Sequence, residues 1–103
     1  MNAGSFAESV LKAVIAADER ARFLSARQRG KTAIIGYLDE GEWVPVFRIT
    51  GGSAAYNVAD LQVRHGSSWQ PTLVRGIPAV VAEALSGPLR FLWEQHAHFS
   101  QPW

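Results

Sequence analysis

Thr32-Ala-Ile-Ile-Gly-Tyr-Leu38, then Asp39-Glu-Gly41, then Glu42-Trp-Val-Pro-Val-Phe-Arg-Ile-Thr50 is the stretch that decides the fold. It reads as two strands joined by a tight turn. Asp39-Glu-Gly41 suits a three-residue hairpin loop, a type I turn with glycine at the left-handed bulge position. Strand side chains alternate, so Ile34 and Ile35 are expected on opposite faces, as are Val46 and Phe47. A sheet apolar on both faces has to be covered on both, by the chain's own helices or by a partner.

Upstream, Ser5-Phe-Ala-Glu8 has the spacing of a capping box. Gly30 suits the left-handed position after a helix end. Together they predict one helix over 6–29, roughly 36 Å long at 1.5 Å per residue. Phe6, Val10, Ala13, Val14, Ala17, Ala21 and Leu24 fall in one stripe, the expected core face. Leu11, Ile15 and Phe23 lie off it, which implies a second contact.

Downstream, Pro45 cannot donate to a ladder and marks an edge or a bulge. Tyr56 to His65 and Trp69 to Arg75 read as third and fourth strands, separated by Gly66-Ser-Ser68. Gly76-Ile-Pro78 opens a helical region, and Gly87-Pro88 interrupts it before about His98. Short turns between consecutive strands predict an antiparallel meander. The expected fold is therefore a single α+β domain over 1–103. A long N-terminal helix packs on a curved four-stranded antiparallel meander sheet, closed by a C-terminal helical region, in the order α-β-β-β-β-α.

Composition narrows function. The chain is 48% hydrophobic and 18% charged, which is globular rather than disordered. It has no cysteine, so disulfides, thiol chemistry and cysteine-ligated zinc are excluded. Net charge is +1 with no polybasic run, so nucleic acid and anionic membrane are not expected as partners. No signal-peptide pattern opens the chain, and no apolar run approaches the ~20 residues of a membrane span. A cytoplasmic protein is expected.

Candidate sites are sparse. Glu94, His96 and His98 hold metal-ligating groups, but two histidines two residues apart diverge on a helix, and no metal site is expected. Gly51-Gly-Ser53, with Arg48 and Lys31 as neighbours, lacks the Lys-Ser/Thr of a phosphate loop and reads as a turn. Asp60 and Arg64 share a strand face while His65 takes the other, which separates a potential acid–base pair. Arg27, Arg29 and Lys31 could touch a phosphate backbone, but with no aromatic stacking platform and no second basic cluster beside them they read as a basic helix end, and nucleic-acid binding is the weakest of the functional readings. No catalytic residue and no cofactor is assigned.

The aromatic residues are more numerous than a core this size needs. Trp and Tyr are enriched at interfaces, so some should line a pocket or a contact. The expected function is a non-enzymatic binding or interaction domain that self-associates as a homodimer. Its ligand would be a small apolar molecule or a protein partner. A pocket between helix and sheet would be walled by Trp43, Phe47, Tyr56 and Trp69, with Arg48 or Arg64 at its mouth. The alternative is a small enzyme in the same pocket, with Asp60 or His65 as acid–base and Arg48 or Arg64 binding an anion.

Overall fold

The computed structural model describes residues 2–51 and 58–97. Helix α1 (Ala3–Ala17) begins earlier than the sequence suggests. Asn2 is its N-cap, and its side-chain oxygen accepts from the Ser5 N–H at 2.8 Å. Ser5 therefore stands inside the first turn rather than capping it. Ala3, Phe6, Ala7, Val10, Leu11 and Val14 are buried, while Ala13 and Ala17 are exposed. The core stripe is thus rotated from the expected one, towards Leu11.

The helix also ends twelve residues before Arg29. Asp18 leaves the helix with extended backbone, and its carboxylate accepts from the Arg20 N–H two residues on. Such local side-chain bonds compete with helix continuation. A short 3₁₀ turn (Glu19–Phe23) follows, then strand β1 (Ser25–Arg29). Gly30 ends no helix. It stands first in a two-residue hairpin loop, Gly30-Lys31, at φ +58°, the place a type II′ turn reserves for glycine.

Four further strands complete the sheet: β2 (Thr32–Asp39), β3 (Glu42–Gly51), β4 (Ala59–His65) and β5 (Ser68–Gly76). Their order is β1-β2-β3-β4-β5, every pair antiparallel. The architecture is α+β with a meander sheet of five strands rather than four. The extra strand is the segment read as the end of a helix. The β2–β3 loop is Glu40-Gly41, since Asp39 pairs with Glu42. Both residues have positive φ, 52° and 85°, as in a type I′ turn, so the loop has two residues and not three.

The β2–β3 ladder carries a bulge. Ile35 faces Phe47, but the next residue, Gly36, faces Pro45, leaving Val46 as the extra residue. Val46 and Phe47 are both buried as a result. Pro45 sits at that bulge, on the half of β3 that β4 does not reach.

The C-terminal region is two helices, α2 (Pro78–Ser86) and α3 (Phe91–Glu94). Pro78 occupies the first turn of α2. Helix α1 packs on β1, β2 and β3 and against α2, and α2 also packs on β5. The core lies between these helices and one face of the sheet. Phe6, Val10 and Val14 meet Ile35, Phe47, Ile49 and Leu61 there, with Val81, Leu85 and Trp93 completing it. The Trp93 indole N–H donates to the Leu85 carbonyl at 2.7 Å, so its polar end is satisfied in the interior. No helix among the described residues is long and apolar enough to cross a membrane.

Candidate functional site: the outer face of the sheet

Among the described residues the helices pack on one face of the sheet, and the alternation of each strand decides what stands on the other. In β1, Ala26 is half-buried on the α1 side and Gln28 accepts from the Gly4 N–H, so Ser25, Arg27 and Arg29 project outward. Arg27 is in register with Ile34, Ile34 with Arg48, and Arg48 with Gln62. The row across four strands is Arg-Ile-Arg-Gln. Trp43 and Trp69 join it from either side: Trp43 pairs with Leu38, and Trp69 with Arg64.

The side chains in this row touch. The Arg27 guanidinium lies 4.1 Å from the Trp43 ring centroid. Those of Arg48 and Arg64 each lie 5.1 Å from the Trp69 centroid. All are within cation–π range. Arg48 Nε donates to Gln62 Oε1 at 2.6 Å, and Arg64 Nε donates to the Gly66 carbonyl at 3.0 Å. These bonds hold each guanidinium in place without neutralising it.

Arg75 also projects outward, and its guanidinium pairs with Asp60 across β4 and β5 at 2.8 Å. Among the described strand residues this face carries Arg27, Arg29, Arg48, Arg64 and Arg75 against the single carboxylate of Asp60. A chain of net charge +1 thus concentrates half of its ten basic residues on one surface. The apolar outer residues that seemed to demand a covering layer are partly covered here by arginine. Ile34, flanked in register by Arg27 and Arg48, is half-buried, in keeping with arginine stems lying along apolar surface.

The expected pocket residues are divided. Trp43, Arg48, Arg64 and Trp69 come together on the outer face. Phe47 is fully buried on the opposite one, packed towards the helices, so these five do not wall one cavity. Tyr56 lies outside the described residues, as do Gly52 and Ser53 of the expected turn and His98. The space between α1 and the sheet is filled by core side chains. An open groove of about 390 Å³ runs instead beside β1, lined by Glu8, Leu11, Lys12, Ile15, Ser25 and Ala26.

The residues weighed for catalysis are also separated. Asp60 is ion-paired with Arg75, and His65 ends β4 exposed on the other face. Arg27 and Arg29, expected at a basic helix end, stand instead on the edge strand β1, where polar Ser25, Arg27 and Arg29 alternate.

A second cluster sits at the far end of the core. Tyr37 Oη and His96 Nδ1 are 2.9 Å apart, and their rings lie 5.3 Å apart. Phe23 packs edge-on against Tyr37 and beside Trp93. Burial raises the Tyr37 pKa, with the Asp39 charge adding to it, and burial lowers that of His96. Arg20 ties this end together: it bonds Asp18 at 2.7 Å and Glu94 at 2.9 Å, and Arg90 also reaches Glu94. The Arg20 side chain holds the Asp18 carboxyl below its usual range. Glu94 and His96, weighed as metal ligands, are engaged in these contacts. No group of three or more metal-ligating side chains occurs among the described residues.

No protein-family model matches this chain, and no curated protein or solved structure matches it either.

Proposed function

We propose that this chain is a non-catalytic binding domain that works through the outer face of its sheet, on an anionic partner. The observation that carries the reading is the juxtaposition of Arg27, Arg48 and Arg64 with Trp43 and Trp69 on the sheet face away from the helices. Aromatic residues and arginine are the side chains most enriched at binding hot spots. Their charges converge from three strands, and the one carboxylate on the face is already paired. The enzyme alternative draws less support, because Asp60, on this face, is ion-paired with Arg75, and His65 lies on the other face, away from Arg48 and Arg64.

Titration with heparin at low salt tests the reading. It should change the tryptophan emission, since Trp43 and Trp69 stand on the face, and added salt should reverse the change. Replacing Arg27, Arg48 and Arg64 together by glutamine should abolish it. A wild-type chain that ignores heparin at low salt overturns the proposal.

A second reading concerns self-association. Leu73 is fully exposed at an irregularity in the β4–β5 ladder, and Ile77 and Val80 are exposed where β5 passes into α2. This apolar corner supports a homodimer. Light scattering at micromolar concentration decides it, and a mass near 11.3 kDa would refute it.

A further inference from the structure

Resting on that reading, we infer that the anionic partner is a single-stranded nucleic acid, its bases stacking on Trp43 and Trp69 and its phosphates held by Arg27, Arg48 and Arg64. Net charge and the absence of a basic run argue against nucleic acid in the linear sequence. The fold removes the second objection and, at an unchanged net charge of +1, localises positive charge. It gathers arginines from β1, β3 and β4 into one surface that no run of sequence displays.

The chemistry selects among anions. A polyanion without rings needs cations alone. Here each of three guanidiniums lies over an indole, at 4.1 Å or 5.1 Å from the ring centroid. A nucleotide offers both complementary parts, a π-face for the indole and a phosphate for the guanidinium. Sequence-tolerant single-strand binders combine these two features. Every cation on the strand positions of this face is arginine, whose planar fork matches phosphate and also stacks.

The geometry selects single strands over duplex. Trp43 on β3 and Trp69 on β5 are two strands apart, about 10 Å in the hydrogen-bonding direction. The platform is a sheet face, and among the described residues no helix stands on it to enter a major groove. Splayed, unstacked bases are the form that stacks on such aromatic side chains. A second copy of this chain is a poor occupant, because it would bring five arginines against five.

The test is fluorescence anisotropy on the full chain with a labelled oligothymidylate of about twelve nucleotides, within the site sizes of such folds. Its duplex with oligoadenylate and heparin serve as comparators, over roughly 50–300 mM salt. The single strand should bind more tightly than either comparator. Trp69→Ala should weaken it by roughly tenfold, in the range of one base–aromatic stack, and Trp69→Phe should recover most of the loss. Arg48→Gln with Arg64→Gln should flatten the salt dependence by about one to two in log–log slope. Lys12→Ala, on α1 across the sheet, should change nothing. Thermal melts of each variant establish that it folds, and Trp43→Ala replaces Trp69→Ala if the latter does not.

If heparin binds through the arginines while the oligonucleotide binds no better, the nucleic-acid inference falls and the anionic face stands. Equal binding by Trp69→Ala and wild type, or preference for duplex, has the same effect. If neither polyanion binds at low salt, both readings fall.

Discussion

Gly36→Ala is the substitution that most directly interrogates the β2–β3 bulge. A Cβ at Gly36 would meet the backbone of β3 itself: the Val44 carbonyl oxygen, with the Val44 carbonyl carbon and the Pro45 Cα each at 3.0 Å. None of these is the tip of a flexible side chain, so relief requires the two strands to separate locally. Overpacking of this kind costs about 1–3 kcal/mol. A ladder bond weakened beside the bulge adds about 1 kcal/mol. The sum, about 2–4 kcal/mol, is a large share of the ~5–15 kcal/mol that holds a domain together. For a chain this size it corresponds to a melting temperature lower by about 10–30 °C. Gly41→Ala is the internal comparison. Its Cβ would meet nothing within 4 Å, and only its φ of +85° is strained, at about 1 kcal/mol. Urea denaturation followed by tryptophan emission should show the Gly36→Ala midpoint well below that of Gly41→Ala, with similar slopes. If Gly36→Ala melts within a few degrees of wild type, or no lower than Gly41→Ala, the bulge and its close backbone approach are misplaced.

Leu24→Ala should destabilise by about 2–5 kcal/mol, because Leu24 is buried between the 3₁₀ turn and β1, while exposed Lys12→Ala should be near neutral. Equal melting temperatures for the two would contradict the burial of Leu24. The His96 pKa is depressed in the folded state, so the unfolded chain takes up that proton first as pH falls. Stability from this site should be intact above the unfolded pKa near 6.5 and decline as pH drops through and below it. Melts of wild type and His96→Gln between about pH 8 and 5 check this, and identical slopes would refute it. Tyr37 shifts the other way: its folded pKa is raised, so its contribution holds below about pH 10 and is lost above. Tyr37→Phe should soften the alkaline decline of the melting temperature, and an unchanged alkaline limb would count against burial of that hydroxyl.

The parts of the fold that were legible in sequence are those whose signals are local. The β2–β3 hairpin was written in two apolar runs around Glu40-Gly41, and the start of α2 in Pro78. Pro45 pointed correctly to an edge or a bulge. What misled was a coincidence of periods. From Ala3 to Val14 the apolar residues repeat as a helix, and Ala21 and Leu24 continue the repeat by chance. Both are indeed buried, yet neither is in the helix. The decision for β1 lies in its pairing with β2, a tertiary contact that no local propensity encodes. Gly30 was equally ambiguous, since a helix end and a II′ hairpin both use glycine at positive φ. The outer face was half legible. Trp43, Arg48, Arg64 and Trp69 were singled out together, but they were assigned to the helix side of the sheet along with Phe47. The extra residue at Val46 shifts the face parity between Trp43 and Phe47, and a bulge of that kind leaves no mark in sequence beyond Pro45.

The strand order of the sheet is the order of the chain, and this bears on how the molecule assembles. Each strand finds its partner in the segment just before or after it, and three of the four connections are two-residue loops. Closing such loops removes little chain entropy, so most of the sheet forms from short-range encounters. The packing of α1 against α2 is different: it joins segments at opposite ends of the sequence. That docking seals the core and has to wait until the meander exists to carry both helices to the same face. Weakening a turn such as Gly30-Lys31 should therefore slow folding, whereas truncating Val10 or Val81 should chiefly hasten unfolding, a split that chevron plots of the two kinds of variant resolve.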